Sequence, residues 1–300
     1  MVAASLSHRL QFLVFQTLEA AAASRAWDRR AALGRTVGRL WHALDMHHRT
    51  VARDNARAAF PEWGGDRVDA MVRANFEHLG ITTAEFLGIG GESSEAVLQR
   101  CHFQGLEYLE EGLGRGRGVL LLTGHLGNWE LLPIAGGAMG YATRGVARRI
   151  KNPLVHERIL ANRERFGARV IPHRNAVRPI LKAVRDGAVV GFLLDQRASA
   201  REGVLSEFFG RPVSTNQGLA LLALKSGTPV LSSFGRRLPD GRHEIRVGPA
   251  LEPPQDGDRD ERVRTFTRTF DAVIEAAVRD CPQQWFWVHR RWRVPRELQP

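Results

Sequence analysis

Val119-Leu120-Leu121-Leu122-Thr123-Gly124-His125-Leu126-Gly127-Asn128-Trp129-Glu130 changes character at its midpoint. The first half is a short apolar run, as in a strand buried on both faces. The second half carries two glycines, an asparagine, a histidine and a carboxylate, which suits a loop leading into a helix. The pattern predicts a strand over 118–123, a bend at Gly127-Asn128 and a helix from Trp129 to Met139. Five residues along a regular helix turn by roughly 500°, so His125 and Glu130 would point about 140° apart on one helix. They can act together only across the bend, with His125 on the loop and Glu130 in the first helical turn, where the helix dipole favours a carboxylate. So placed, His125 is a general base oriented by Glu130, able to take a proton from a hydroxyl near neutral pH. The competing reading is a surface histidine and a helix-start glutamate that never meet.

The same alternation continues outward. Apolar stretches at 143–148, 169–172, 188–194, 229–236 and 243–247 read as strands. Helical periods at 153–166, 176–185, 217–226 and 262–280 separate or follow them. Short strands between helices define an α/β fold: a mixed central sheet covered by helices. Residues 1–90 read as helical, with breaks at Pro61-Glu62-Trp63-Gly64-Gly65 and near Gly88. They form an N-terminal helical, membrane-associating layer on a core of residues 91–300, the whole being one continuous domain. The stripe Leu10, Phe12, Leu13, Val14, Phe15 and Leu18 is too interrupted for a membrane span and fits an amphipathic helix lying on a bilayer or on the core.

Composition narrows the partners. The chain has 300 residues, 43% hydrophobic and 25% charged, which is ordinary for a globular protein. Its net charge of +11 favours acidic partners, anionic lipid and an acidic carrier protein among them. Cys101 and Cys281 lie in no ligand-like spacing, no metal site is expected, and a reduced compartment is the default. Gly112 to Gly118 precede a strand instead of following one, so they read as a turn and not as a phosphate loop.

Further candidates lie downstream. Asp195 and Gln196 follow an apolar strand, so Asp195 either converges with His125 on one crevice or caps a turn. Arg148, Arg149 and Lys151 form a cluster suited to a phosphate or a carrier's acidic face, or simply a solvated surface. Phe208-Phe209-Gly210 either lines an acyl channel or closes the core. The tryptophans and arginines of 285–293 suit a membrane interface, nucleic-acid stacking or packed core. With no nucleic-acid motif in the chain, nucleic acid is not expected as a partner.

Taken in order, these strings resemble the bacterial lipid A biosynthesis acyltransferases, the lauroyl and myristoyl transferases related to glycerolipid acyltransferases. The resemblance runs through Asn55-x4-Phe60-Pro61-Glu62, Asn75-Phe76, Glu85, the 124–130 string, Arg148, Asn152-Pro153, Arg163, Asp195-Gln196, Phe208-Phe209-Gly210, Thr215 and Pro282-x-Gln-Trp-x-Trp-x-His-Arg-Arg291. Arg149 stands where many members have proline. The resemblance implies a glycerolipid acyltransferase-like fold, His125 and Glu130 as the catalytic pair, and Asn128, Arg148, Arg163, Asp195 and Gln196 in support. It implies no cofactor, an acyl thioester donor on acyl carrier protein or coenzyme A, and a phosphorylated glycolipid acceptor. The expected location is the cytoplasmic face of the bacterial inner membrane, held peripherally or monotopically. Two alternatives use the same chemistry: acylation of a phosphatidylinositol mannoside, and thioester or lipid hydrolysis.

Overall fold

The computed structural model describes residues 5–298. Four helices come first: α1 (Leu6–Ala23), α2 (Trp27–Leu44), α3 (Met46–Ala59) and α4 (Gly65–Gly88). α2 and α4 touch backbone to backbone through glycines. A Cβ on Gly38 would lie 2.2 Å from the Phe76 carbonyl oxygen, and one on Gly80 would lie 2.1 Å from that of Gly34. Larger residues at these places would force the helices apart.

The rest alternates: α5 (Ser94–Gln99), β1 (Cys101–Gln104), α6 (Leu106–Gly114), β2 (Val119–Thr123), α7 (Leu131–Ala138), β3 (Thr143–Ala147), α8 (Pro153–Glu164), β4 (Arg169–Pro172), α9 (Val177–Arg185) and β5 (Val189–Leu193). Then follow β6 (Gly203–Phe208), β7 (Arg211–Asn216), α10 (Gly218–Ser226), β8 (Val230–Arg237), β9 (His243–Ala250) and α11 (Arg259–Asp280). Among the described residues the main sheet has seven strands in the order β1-β9-β8-β2-β5-β3-β4. Every neighbouring pair in it is parallel except β8 and β9. The sheet is therefore mixed, as the sequence pattern predicts, and mostly parallel, with β2 and β5 adjacent near its centre.

β6 and β7 form a separate antiparallel hairpin that the sequence reading did not anticipate. Its turn residues, Phe209 and Gly210, both have positive φ (53° and 66°), as a two-residue hairpin of the right twist requires. Phe208 and Phe209 pack among Phe60, Trp285, Trp287 and Trp292, and none of Phe208, Phe209 and Gly210 lines the cleft beside His125. The acyl-channel expectation for these three is thus corrected: the aromatic rings close the core and Gly210 completes the turn.

The helical layer grips the rest of the chain. Asn152 caps α8, accepting from Leu154 N–H at 3.1 Å, while its amide donates to the His8 carbonyl of α1 at 2.9 Å. Arg158 of α8 donates to both carboxylate oxygens of Glu19 in α1 at 2.8 and 2.9 Å. On the outer side of the layer Leu6, Leu10, Leu13, Val14 and Leu18 of α1 are exposed, as are Val37, Leu40 and Leu44 of α2. No described helix is long and apolar enough to cross a membrane.

Candidate active site

β2 and β5 are adjacent and parallel, with Thr123 opposite Leu193. Two residues past each strand end stand His125 and Asp195, so the register itself brings them together. Asp195 accepts from His125 through both of its oxygens: Oδ1 lies 2.7 Å from Nδ1, and Oδ2 accepts the His125 backbone N–H at 2.7 Å. The Trp285 indole N–H donates to the same Oδ2 at 2.8 Å. The Asp195 side chain is 1% exposed, whereas that of His125 is 20% exposed and lines the cleft.

The carboxylate fixes the proton on Nδ1, leaving Nε2 as the acceptor that can act as a base. The Gln196 amide N–H donates to that Nε2 across a long 3.4 Å, a contact that an incoming hydroxyl would replace. Burial disfavours the charged ring, but the Asp195 charge and hydrogen bond, helped by the charge of Glu130, hold the His125 pKa above its ordinary value. Burial likewise opposes ionisation of Asp195. The His125 charge and the three donated hydrogen bonds prevail and keep this carboxyl below its ordinary range.

Glu130 does not orient His125. It immediately precedes α7, and its carboxylate takes a bidentate pair from Arg163 of α8, Oε2 from Nε at 2.8 Å and Oε1 from Nη2 at 2.7 Å. The partner expected five residues away is replaced by one seventy residues away, because strand adjacency brings Asp195 closer than the bend brings Glu130. Glu130 and Arg163 both line the cleft, so they form a second, coupled pair beside the first.

Of the other expected residues, Gln196 lines the cleft and Arg148 stands at its rim, 74% exposed, with Nη2 3.9 Å from Glu202. Asn128 is placed differently. It is 2% exposed and donates to Glu85 at 3.0 Å, away from the cleft. Glu85, fully buried, also accepts from Arg237 at 3.1 Å and lies 3.1 Å from His243 Nε2. Asn128 therefore braces the loop that carries His125.

The sequence reading missed the part played by residues 282–289, which lie across the strand ends. Phe286 N–H donates to the His125 carbonyl and Gly127 N–H to the Gln284 carbonyl, each at 3.0 Å. α3 and α4 hold this segment in turn: Asn55 donates to the Trp287 and His289 carbonyls at 2.7 Å, and Asn75 to the Gln283 carbonyl at 3.1 Å. Trp285 and Trp287 are buried, at 1% and 0% exposure, so of the three readings of this tract it is packed core that the structure adopts. The only local signal was the aromatic density itself, which does not say which carboxylate an indole will meet.

The cleft has a volume of about 990 Å³, at the upper end of small-molecule pockets. Leu121, Val146 and Phe192 line it together with His125, and Arg144, Arg148, Arg169 and Arg201 supply cations. An imidazole base at the carboxyl end of a parallel sheet, facing an apolar cleft with arginines around it, defines an α/β enzyme suited to activating a hydroxyl near a fatty, anionic substrate.

Comparison with known proteins specifies the class. Residues 10–294 match the family described as bacterial lipid A biosynthesis acyltransferase. The lipid A biosynthesis acyltransferase of Haemophilus influenzae is 26% identical over 83% of this chain and 77% of its own length. The lipid A biosynthesis lauroyltransferase of Escherichia coli is 26% identical over 89% and 86%. A phosphatidylinositol mannoside acyltransferase of Mycobacterium tuberculosis is 31% identical over 42% of this chain and 41% of its own. The solved 1-acyl-sn-glycerophosphate acyltransferase of Thermotoga maritima aligns over 87% of this chain and 99% of its own at 13% identity, with a TM-score of 0.41. The chain belongs to the bacterial lipid A biosynthesis acyltransferase family, and its reaction class is O-acyl transfer.

Proposed function

We propose that this protein transfers a fatty acyl chain from an acyl carrier protein thioester to a hydroxyl of a lipid A precursor or a closely related glycolipid. His125 Nε2 takes the hydroxyl proton as the oxygen attacks the thioester carbonyl. Asp195 holds the tautomer and stabilises the imidazolium. The tetrahedral intermediate then collapses, the carbon–sulfur bond breaks, and the leaving thiolate takes the proton from His125. One observation carries this reading: Nδ1 is held at 2.7 Å by a buried carboxylate while the ring faces a large, partly apolar cleft. The family's relatives, named for acyl transfer in lipid A biosynthesis, support the acceptor class.

The exposed apolar stripe of α1 and α2 supports a seat on the cytoplasmic face of the inner membrane, where the cleft could draw an acceptor from the bilayer. The net charge of +11 suits the acidic carrier and the anionic lipid surface. The test is a mass comparison of the glycolipids of cells with and without the protein. A missing acyl increment on a lipid A-type glycolipid is the expected result. Its appearance on a mannosylated phosphoinositide, or the release of free fatty acid in place of any acylated lipid, would replace this acceptor by one of the alternatives.

A further inference from the structure

An oxyanion forms when the thioester carbonyl is attacked, and the backbone donors nearest the base are already in use. Three successive amides are already committed: His125 N–H to Asp195, Leu126 N–H to the Gly124 carbonyl and Gly127 N–H to the Gln284 carbonyl. Arg163 has Nε and Nη2 committed to Glu130. A side chain on the cleft can supply the stabilisation that such sites draw from fixed donors.

His289 lines the same cleft as His125 and has had no role so far. Its backbone is pinned, the carbonyl accepting from Asn55 at 2.7 Å and from Arg291 N–H at 2.9 Å. Its ring feels the charges of Asp195, Arg291, His125 and Arg197. Its Nδ1 is buried and has no hydrogen-bond partner. A buried N–H without an acceptor costs more than a buried lone pair without a donor, so the ring proton belongs on Nε2.

We infer that His289 is a catalytic residue, donating its Nε2–H to the carbonyl oxygen of the acyl donor as that oxygen becomes negative. The assignment rests on the acyl-transfer reading above. Burial pushes the ring pKa down to about 4; Arg291, His125 and Arg197 act in the same direction, against Asp195. The ring is thus neutral at pH 7 and can donate without itself carrying charge. A neutral imidazole polarising a carbonyl is an established catalytic arrangement in other enzymes.

The experiment measures acyl transfer from lauroyl-acyl carrier protein to an underacylated, phosphorylated lipid A precursor. Wild type, His289→Ala, His289→Gln and His125→Ala are run together, with thermal unfolding of each. Loss of one oxyanion donor predicts a kcat about 100- to 1,000-fold lower in His289→Ala. Its KM should stay within about threefold of wild type, because the interaction is made in the transition state. Glutamine can place an amide N–H near the position of Nε2–H, so His289→Gln should recover at least about tenfold of that loss. The inference is overturned if His289→Ala keeps its kcat, if the loss falls on KM, or if glutamine is no better than alanine. Normal transfer by His125→Ala, or none by wild type, would instead overturn the acyl-transfer reading beneath it.

Discussion

Asp195 and Asp271 are both buried carboxylates paired with a basic partner, yet only one builds a site. Asp271 and Arg291 are both 0% exposed, with Oδ1 and Nη2 2.6 Å apart. Thr215 donates to the second oxygen of Asp271 at 2.6 Å, and Arg291 also donates to the Gln196 and Ser214 carbonyls at 3.1 and 2.9 Å. Neither residue lines the cleft, so the pair locks α11, the β6–β7 hairpin and the segment after Asp195 into one body. Around Asp195 the carboxylate is just as enclosed, but its partner keeps one nitrogen at the cleft. Chemistry therefore depends on whether the partner presents an exchangeable lone pair to the cleft; burial of the acid sets only how firmly that partner is held.

Perturbing the two pairs should give opposite signatures. Asp195→Asn should lower kcat by roughly 10³- to 10⁴-fold, because the amide no longer fixes the productive tautomer, and the fold should survive. Steady-state kinetics with circular dichroism checks this, and a fold lost together with activity would make Asp195 merely structural. Arg291→Ala should do the reverse, costing about 3–5 kcal/mol of stability by leaving Asp271 buried without its cation, as denaturant unfolding would show.

Smaller effects probe the residues around the base. Glu130→Gln removes a negative charge that raises the His125 pKa and frees Arg163 from its bidentate partner. The base works in its neutral form, so activity in wild type should fall as pH drops through a midpoint above the ordinary histidine value. In Glu130→Gln that limb should move to lower pH, because the charge that raises the His125 pKa is gone. A pH–rate profile with an unmoved limb would remove Glu130 from the electrostatics of the base. Trp285→Phe keeps a buried ring and deletes one donor to Asp195, so kcat should drop by about tenfold with little change in KM.

Much of the fold is legible in local pattern. The stretch 118–125 shows its strand and loop because a buried parallel strand is continuously apolar and the residues after it are not. Strand order is not local, and that is where the reading of the site fails. β2 and β5 are neighbours although β3 and β4 lie between them in sequence, so local spacing points to Glu130, the acid nearest in sequence, and not to the acid nearest in space. The alternative that Asp195 shares a crevice with His125 was visible only because both residues follow apolar strands. The β6–β7 hairpin escaped notice because Ser206, Glu207, Arg211, Pro212, Ser214, Thr215 and Asn216 mask its period, and because phenylalanine is a rare first residue for such a turn. Trp285 was legible as an aromatic, but its indole reaches a carboxylate ninety positions away, and no spacing rule encodes that contact.

The most direct test is single-turnover transfer from lauroyl-acyl carrier protein to a lipid A precursor by purified His125→Ala, beside wild type at the same pH. The account predicts a rate lower by at least about 10³-fold, with an unchanged thermal unfolding midpoint. Transfer at a near-normal rate in the folded variant would mean that the imidazole held by Asp195 is not the base.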